Sequence, residues 1–176
     1  LNAMKFTTPV FLTNQTLKEQ HLDLLPDQMD RWNPALLDFF YFPYESCFYS
    51  GINCFQPWRD FTVIHDVLFL WKEQKSGLSD LFRQRNRREA LPLMKKGIAL
   101  YVSAFFWLNN SPVHLFKWKD KAGGFERIPM NGMERLEFVL HTPGHYQSLA
   151  QLSELFTELE KILFKHMAIK KASRML

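Results

Sequence analysis

An all-α domain, a compact bundle of six to eight helices around a buried central one, is the fold this sequence predicts, and three observations carry the prediction. Residues 146–167 place Leu149, Leu152, Phe156, Leu159, Leu163 and Met167 at alternating spacings of three and four, with Gln151, Glu154, Glu158 and Lys161 on the other face. That is one buried stripe along an amphipathic helix. Between Ile98 and Leu108 only Ser103 is polar, so this helix is apolar on every side and belongs in the middle of the bundle. Finally, no run alternates apolar and polar residues between turn-forming residues as a half-buried strand requires.

Each element follows from local chemistry. The first 30 residues offer one modest helix, about residues 17–25, cut by Pro26. Pro34 and Pro43 each open a short helical turn within residues 34–49, because proline's fixed φ suits the first helical position. Phe61, Ile64, Leu68 and Trp71 repeat the helical period over residues 58–75, with Pro57 before them and Ser76-Gly77 as a stop. Residues 79–84, with Leu81 and Phe82, read as a brief separate helix. The central helix is predicted over residues 88–109; Pro92 either lies in its first turn or kinks it. Asn109-Asn110-Ser111-Pro112 stops it, and Pro112 is placed to start another short helix. Residues 117–127, with Gly123-Gly124, read as a loop. A shorter helix over residues 132–141 turns Met133, Leu136 and Leu140 inward, with Asn131 placed to cap it. Pro143-Gly144 breaks the chain before the last helix.

At 176 residues the chain fits one domain, assigned to residues 4–170. Leu1-Asn2-Ala3 before Met4 reads as an expression scar, and residues 171–176 as a frayed basic tail. Hydrophobic residues at 47% and charged residues at 23% are ordinary for a globular protein. The 17 Phe, five Trp and five Tyr are not, and they predict a core thick with ring packing. The longest apolar run, residues 97–108, falls short of the roughly 18 residues a membrane span needs, so no membrane insertion is expected. There is no signal-peptide pattern. Cys47 and Cys54 are too few for a disulfide scaffold or a four-ligand zinc site and are read as reduced thiols in a cytoplasmic protein. The net charge of +4 is unevenly spread: residues 1–70 carry eight acidic and four basic side chains, residues 71–176 ten and eighteen. The basic half could attract an acidic protein face or nucleic acid.

Two clusters could carry chemistry. The aromatic run from Phe39 to Tyr49 encloses Glu45, and a carboxylate held among rings loses hydration and acquires a raised pKa suited to acid or base work. Tyr41, Tyr44, Glu45 and His65 are therefore the candidate pocket. The structural alternative, that Glu45 pairs with a cation or caps a turn, is favoured because buried charges are normally paired. It predicts that Glu45→Gln lowers thermal stability. The second cluster, Arg83, Arg85, Arg87, Arg88, Lys95 and Lys96, is the best candidate anion site, since arginine forks suit phosphate oxygens. Its competing reading is a solvated helix end. His141 and His145 have a metal-like spacing that Pro143-Gly144 breaks, and no metal motif, nucleophile elbow or phosphate loop occurs. No metal, cofactor or catalytic residue is assigned.

Several blocks together resemble the YpoC-like family of small uncharacterised bacterial proteins: Phe42-Pro43-Tyr44-Glu45, Gln56-Pro57-Trp58, Met94-Lys95-Lys96-Gly97-Ile98-Ala99, Phe106-Trp107-Leu108-Asn109 with Pro112-Val113, and Gln151-Leu152-Ser153-Glu154-Leu155. The resemblance spans residues 35–167. It implies a small cytoplasmic protein and places no activity on any residue. The leading expectation is a non-catalytic binding or adaptor protein with a protein partner, or nucleic acid at its basic half. A small helical enzyme with a pocket around Tyr41–Glu45 is the alternative, and a homo-oligomer covering surplus Phe and Trp is a third.

Overall fold

A computed structural model describes residues 4–7, 9, 13–18, 20–24 and 28–175; the three residues read as a scar lie outside these. Two helical hairpins make the body of the molecule. The first joins α2 (Ile64–Arg83) to α3 (Arg87–Leu108), and the second joins α5 (Gly132–His141) to α6 (Tyr146–Ser173). Between them runs the short α4 (Trp118–Ala122), and before them stand α1 (Pro43–Tyr49) and a 3-10 turn, Pro34–Asp38. The all-α prediction holds for this body.

The central helix lies where its composition puts it. From Gly97 to Leu108 every residue of α3 is buried. Among the described residues α3 is the one helix long and apolar enough to cross a membrane, but most of that stretch is covered by the rest of the fold. Rings supply the contacts: Trp71 of α2 stacks on Phe156 of α6 with centroids 4.5 Å apart, and Tyr101 of α3 meets Phe156 edge-on at 5.3 Å. Gly97 makes this possible. A Cβ there would fall 2.6 Å from Trp71 Cζ3, so the glycine admits the indole against the α3 backbone. Pro92 lies inside α3, where it leaves the Arg88 carbonyl without its helical donor.

The joint between α2 and α3 is a Schellman turn. Arg85 N–H donates to the Phe82 carbonyl at 3.0 Å and Asn86 N–H to the Leu81 carbonyl at 2.9 Å. Arg85 itself is left-handed, with φ 57°, a conformation that costs a side-chain-bearing residue about 1–2 kcal/mol. Asn86 then caps α3, its Oδ1 accepting from Glu89 N–H at 3.3 Å. The end of α3 repeats the device with Asn110 at φ 55°, a residue that tolerates it better.

Several local expectations are corrected. α2 does not stop at Ser76-Gly77; it runs on to Arg83 because Leu78 is fully buried, and burial outweighs the cost of roughly 1 kcal/mol for a helical glycine. It also starts later, after 3-10 turns at Pro57–Arg59 and Phe61–Val63. The predicted loop at 117–127 contains α4, held by the buried Trp118 and Ala122. Pro112 opens no helix. Asn131 stands at the start of α5 but is left-handed and makes no side-chain cap. Instead Glu158 Oε2 accepts the neighbouring Met130 N–H at 3.1 Å. The predicted helix over residues 17–25 is replaced, among its described residues, by an antiparallel strand pair, β1 (Met4–Thr7) with β2 (His21–Leu24), in register Met4 to Leu24 and Thr7 to His21.

Candidate functional site

The structure divides the predicted basic cluster. Arg83 ends α2, Arg85 is the left-handed joint residue, and Arg87 and Arg88 open α3, so four arginines share one exposed turn. Arg83 is paired with Asp80 at 3.2 Å, whereas Arg85, Arg87 and Arg88 form no ion pair among the described residues. Lys95 is half-buried two turns along α3. Lys96 is bound to Asp38 and is neutralised away from the arginines. Arg87 also packs across to the second hairpin. A Cβ on Gly144 would meet its Nη2 at 2.9 Å, and with Phe82, Ala90, Leu91 and Gly144 it lines a cavity of about 190 Å³. Tyr146 stands exposed beside this cavity, its ring 6.3 Å from Phe82.

The predicted pocket is also divided. Tyr44 and Glu45 lie side by side in the first turn of α1, whereas His65 faces α6, with Nε2 3.2 Å from Met167 Sδ and its ring beside Phe164. Tyr44 is fixed by its hydroxyl, which accepts from Asn33 N–H at 2.7 Å and donates to the Arg31 carbonyl at 3.1 Å. Burial pushes its pKa up to about 12. Tyr41 is half-buried, its pKa also raised by burial, and its N–H donates to Gln20 Oε1.

Glu45 is the most unusual group in the molecule. Its exposure is 0%, and among the described residues neither Lys nor Arg forms an ion pair with it, so its salt-bridge reading fails there. Trp107 Nε1–H donates to Oε1 at 2.6 Å, and Val113 N–H adds a longer bond at 3.3 Å. Oε2 has no partner. Burial penalises the ionised form more than these donors favour it, and the pKa is raised to about 7. Such a carboxyl pins α1 to the end of α3 and changes charge near neutrality, but without exposed surface it offers nothing for a substrate to touch.

Sequence reasoning missed Trp107 and Val113, which lie 62 and 68 positions from Glu45. It also missed Trp32, whose indole N–H donates to Asp66 Oδ2 at 2.6 Å. A third omission is Arg135 of α5, which donates to Gln151 at 2.8 Å, Glu158 at 2.7 Å and Glu154 at 3.1 Å on α6. The signal for Arg135 was present, because positions 151, 154 and 158 share one helical face. Among the described residues, no three His, Cys, Asp or Glu side chains come together as a metal site.

These features define a helical-bundle protein built on two hairpins, with a basic joint at one turn and a buried carboxyl locking its N-terminal segment. The chain belongs to the YpoC-like family, whose model, described as YpoC-like protein, matches residues 61–171. A protein of Bacillus subtilis (strain 168), described as uncharacterized protein YpoC, is 32% identical over 117 residues, covering 65% of this chain and 71% of its own. No solved structure matches.

Proposed function

We propose that this chain is a non-catalytic, cytoplasmic binding protein whose α2–α3 turn docks an anionic partner, with nucleic acid as the partner to test. The observation that supports the reading is the set of exposed arginines at one helix joint, three of them without an acidic partner among the described residues. Guanidinium forks bond phosphate oxygens in pairs, and the positive N-terminal end of α3 adds to the attraction. Fluorescence anisotropy of labelled single- and double-stranded DNA and RNA is the test. Four phosphate contacts on duplex DNA correspond to a log–log salt slope of about −3.6, a loss of about a hundredfold between 50 and 200 mM salt. Replacing Arg83, Arg85, Arg87 and Arg88 with Ala in a still-folded protein is expected to abolish binding. Absence of binding at low salt, or an affinity indifferent to salt, would sink the reading and turn the search to an acidic protein partner.

A second reading, a helical enzyme using the Tyr41–Glu45 cluster, is favoured by one observation, the Glu45 carboxyl poised near neutrality. The lack of exposed surface there weighs against it. Native mass spectrometry of the purified protein, searching for a co-purified small molecule, decides between the two.

A further inference from the structure

Charge divides α6 into two halves. Residues 146–160 hold Glu154, Glu158 and Glu160 and no Lys or Arg, whereas residues 161–175 hold Lys161, Lys165, Lys170, Lys171 and Arg174 and no Asp or Glu. The helix dipole favours cations only over the last turn, so it accounts for Lys170, Lys171 and Arg174 but not for Lys161 or Lys165. All five are exposed, and none forms an ion pair among the described residues. The covered part of the helix also ends here: Leu163 is its last buried residue, and α6 runs on to Ser173. On its inner side this overhang is held by Phe61, whose ring meets His166 edge-on at 5.1 Å and lies 4.4 Å from Lys170 Nζ.

The outer side is apolar between cations. Phe164, Ala168 and Ala172 recur at every fourth residue and share one face. Met175 follows them, its N–H donating to the Ala172 carbonyl at 3.1 Å. Phe164 is 49% exposed and Met175 79%, with Ile169 at the edge of the same face at 56%. By helical position, Lys165 borders this stripe on one side, and Lys171 and Arg174 border it on the other. Met175 and Ala168 also face Phe61 and Met167 across a groove of about 420 Å³, rimmed by Lys170, Lys171 and Arg174. Side chains of this kind lay their apolar stems along such a surface and carry their charge past it.

A nucleic acid would engage these cations and leave the stripe in water. A projecting helix end that sets apolar side chains between Lys and Arg matches instead a surface that is hydrocarbon below and phosphate above. We propose that α6 from Lys161 to Met175 docks on an anionic lipid bilayer, with its apolar stripe at the acyl boundary and its cations among the headgroup phosphates. The contact lies in the plane of the interface and does not cross it. It is separate from the basic α2–α3 turn. α6 begins at Tyr146, beside Phe82 of that turn, and its 28 residues carry its other end about 42 Å away.

The test is co-sedimentation with sucrose-loaded vesicles of phosphatidylcholine, with and without phosphatidylglycerol, over a series of salt concentrations. The expected result is partition onto the anionic vesicles that weakens as salt rises, and none onto phosphatidylcholine alone. A cation at an anionic surface contributes about fivefold, so combining Lys165→Gln, Lys171→Gln and Arg174→Gln should weaken partition on the order of a hundredfold. Ile169→Ser with Met175→Ser, which leaves the charge unchanged, should weaken it several-fold. The variant with Ala at Arg83, Arg85, Arg87 and Arg88 should partition as the wild type does. No partition onto anionic vesicles at low salt would overturn the proposal, as would undiminished partition by the Gln variant. Indifference to the Ser pair would also overturn it, leaving an electrostatic contact of the kind a nucleic acid makes, and loss in the four-Ala variant would move the lipid contact to the α2–α3 turn. The side chains replaced at the α6 end are exposed, and circular dichroism checks each fold; if a variant unfolds, the wild type on the two kinds of vesicle decides by itself.

Discussion

Replacing Glu45 with Gln isolates the cost of burying a carboxylate with no cation beside it. The folded pKa is about 7 against an ordinary value of 4.5, and each pKa unit corresponds to about 1.4 kcal/mol. The ionised form therefore costs the fold about 3 kcal/mol. The sign follows from proton counting. Between pH 4.5 and about 7 the folded state keeps a proton that the unfolded state has released, so stability falls as pH rises through that window and levels off above it. Glutamine keeps an oxygen to accept from Trp107 and Val113 but cannot ionise. Urea unfolding of both proteins from pH 5 to pH 8 gives the difference in their unfolding free energies, in which the titration of other groups cancels. The wild type should lose about 2.5 kcal/mol relative to Glu45→Gln across the range. This reverses the expectation that Gln simply destabilises: the pairing assumed for that expectation is absent, and the variant gains on the wild type as the carboxyl ionises. A difference that stays constant to within about 0.5 kcal/mol would refute the reasoning and mean that Glu45 is charged throughout or reaches water.

Two further substitutions test the helix joints and packing. Gly97→Ala should destabilise by about 1–3 kcal/mol, despite alanine's better helix propensity, because its Cβ collides with Trp71; thermal unfolding with an unchanged or raised midpoint would show that the indole can move aside. Arg85→Gly should raise stability by up to about 1 kcal/mol, since glycine takes the left-handed angle without penalty. Salt-dependent anisotropy of the same variant should show weaker anion binding, which separates the conformational cost of this residue from its charge.

The parts of the fold legible in the sequence were those written in local periodicity. The stripe from Leu149 to Met167 marked α6, and the apolar run ending at Asn109-Asn110 marked α3 to within a residue. What failed was local punctuation overruled from a distance. Ser76-Gly77 looks like a stop until Leu78 is seen in the core, and Gly123-Gly124 looks like a loop until Trp118 is seen anchoring α4. The N-terminal strands are four residues each and pair across a long connection, so neither carries enough alternation to be recognised. At the candidate sites, the aromatic setting of Glu45 and the shared turn of the four arginines could be anticipated. The donors to Glu45 could not, because Trp107 stands at the far end of α3 and Val113 in the segment that follows it.

The bond from Trp107 to Glu45 also bears on how the chain comes into being. At about 5–20 residues per second, Glu45 waits roughly 3–12 s during synthesis before Trp107 has been made. Thr16, whose hydroxyl donates to the Leu140 carbonyl 124 positions later, waits about twice as long. The ring-rich segment that emerges first therefore lacks its covering until the first hairpin is complete. During that interval it is the part of the nascent protein most in need of a chaperone.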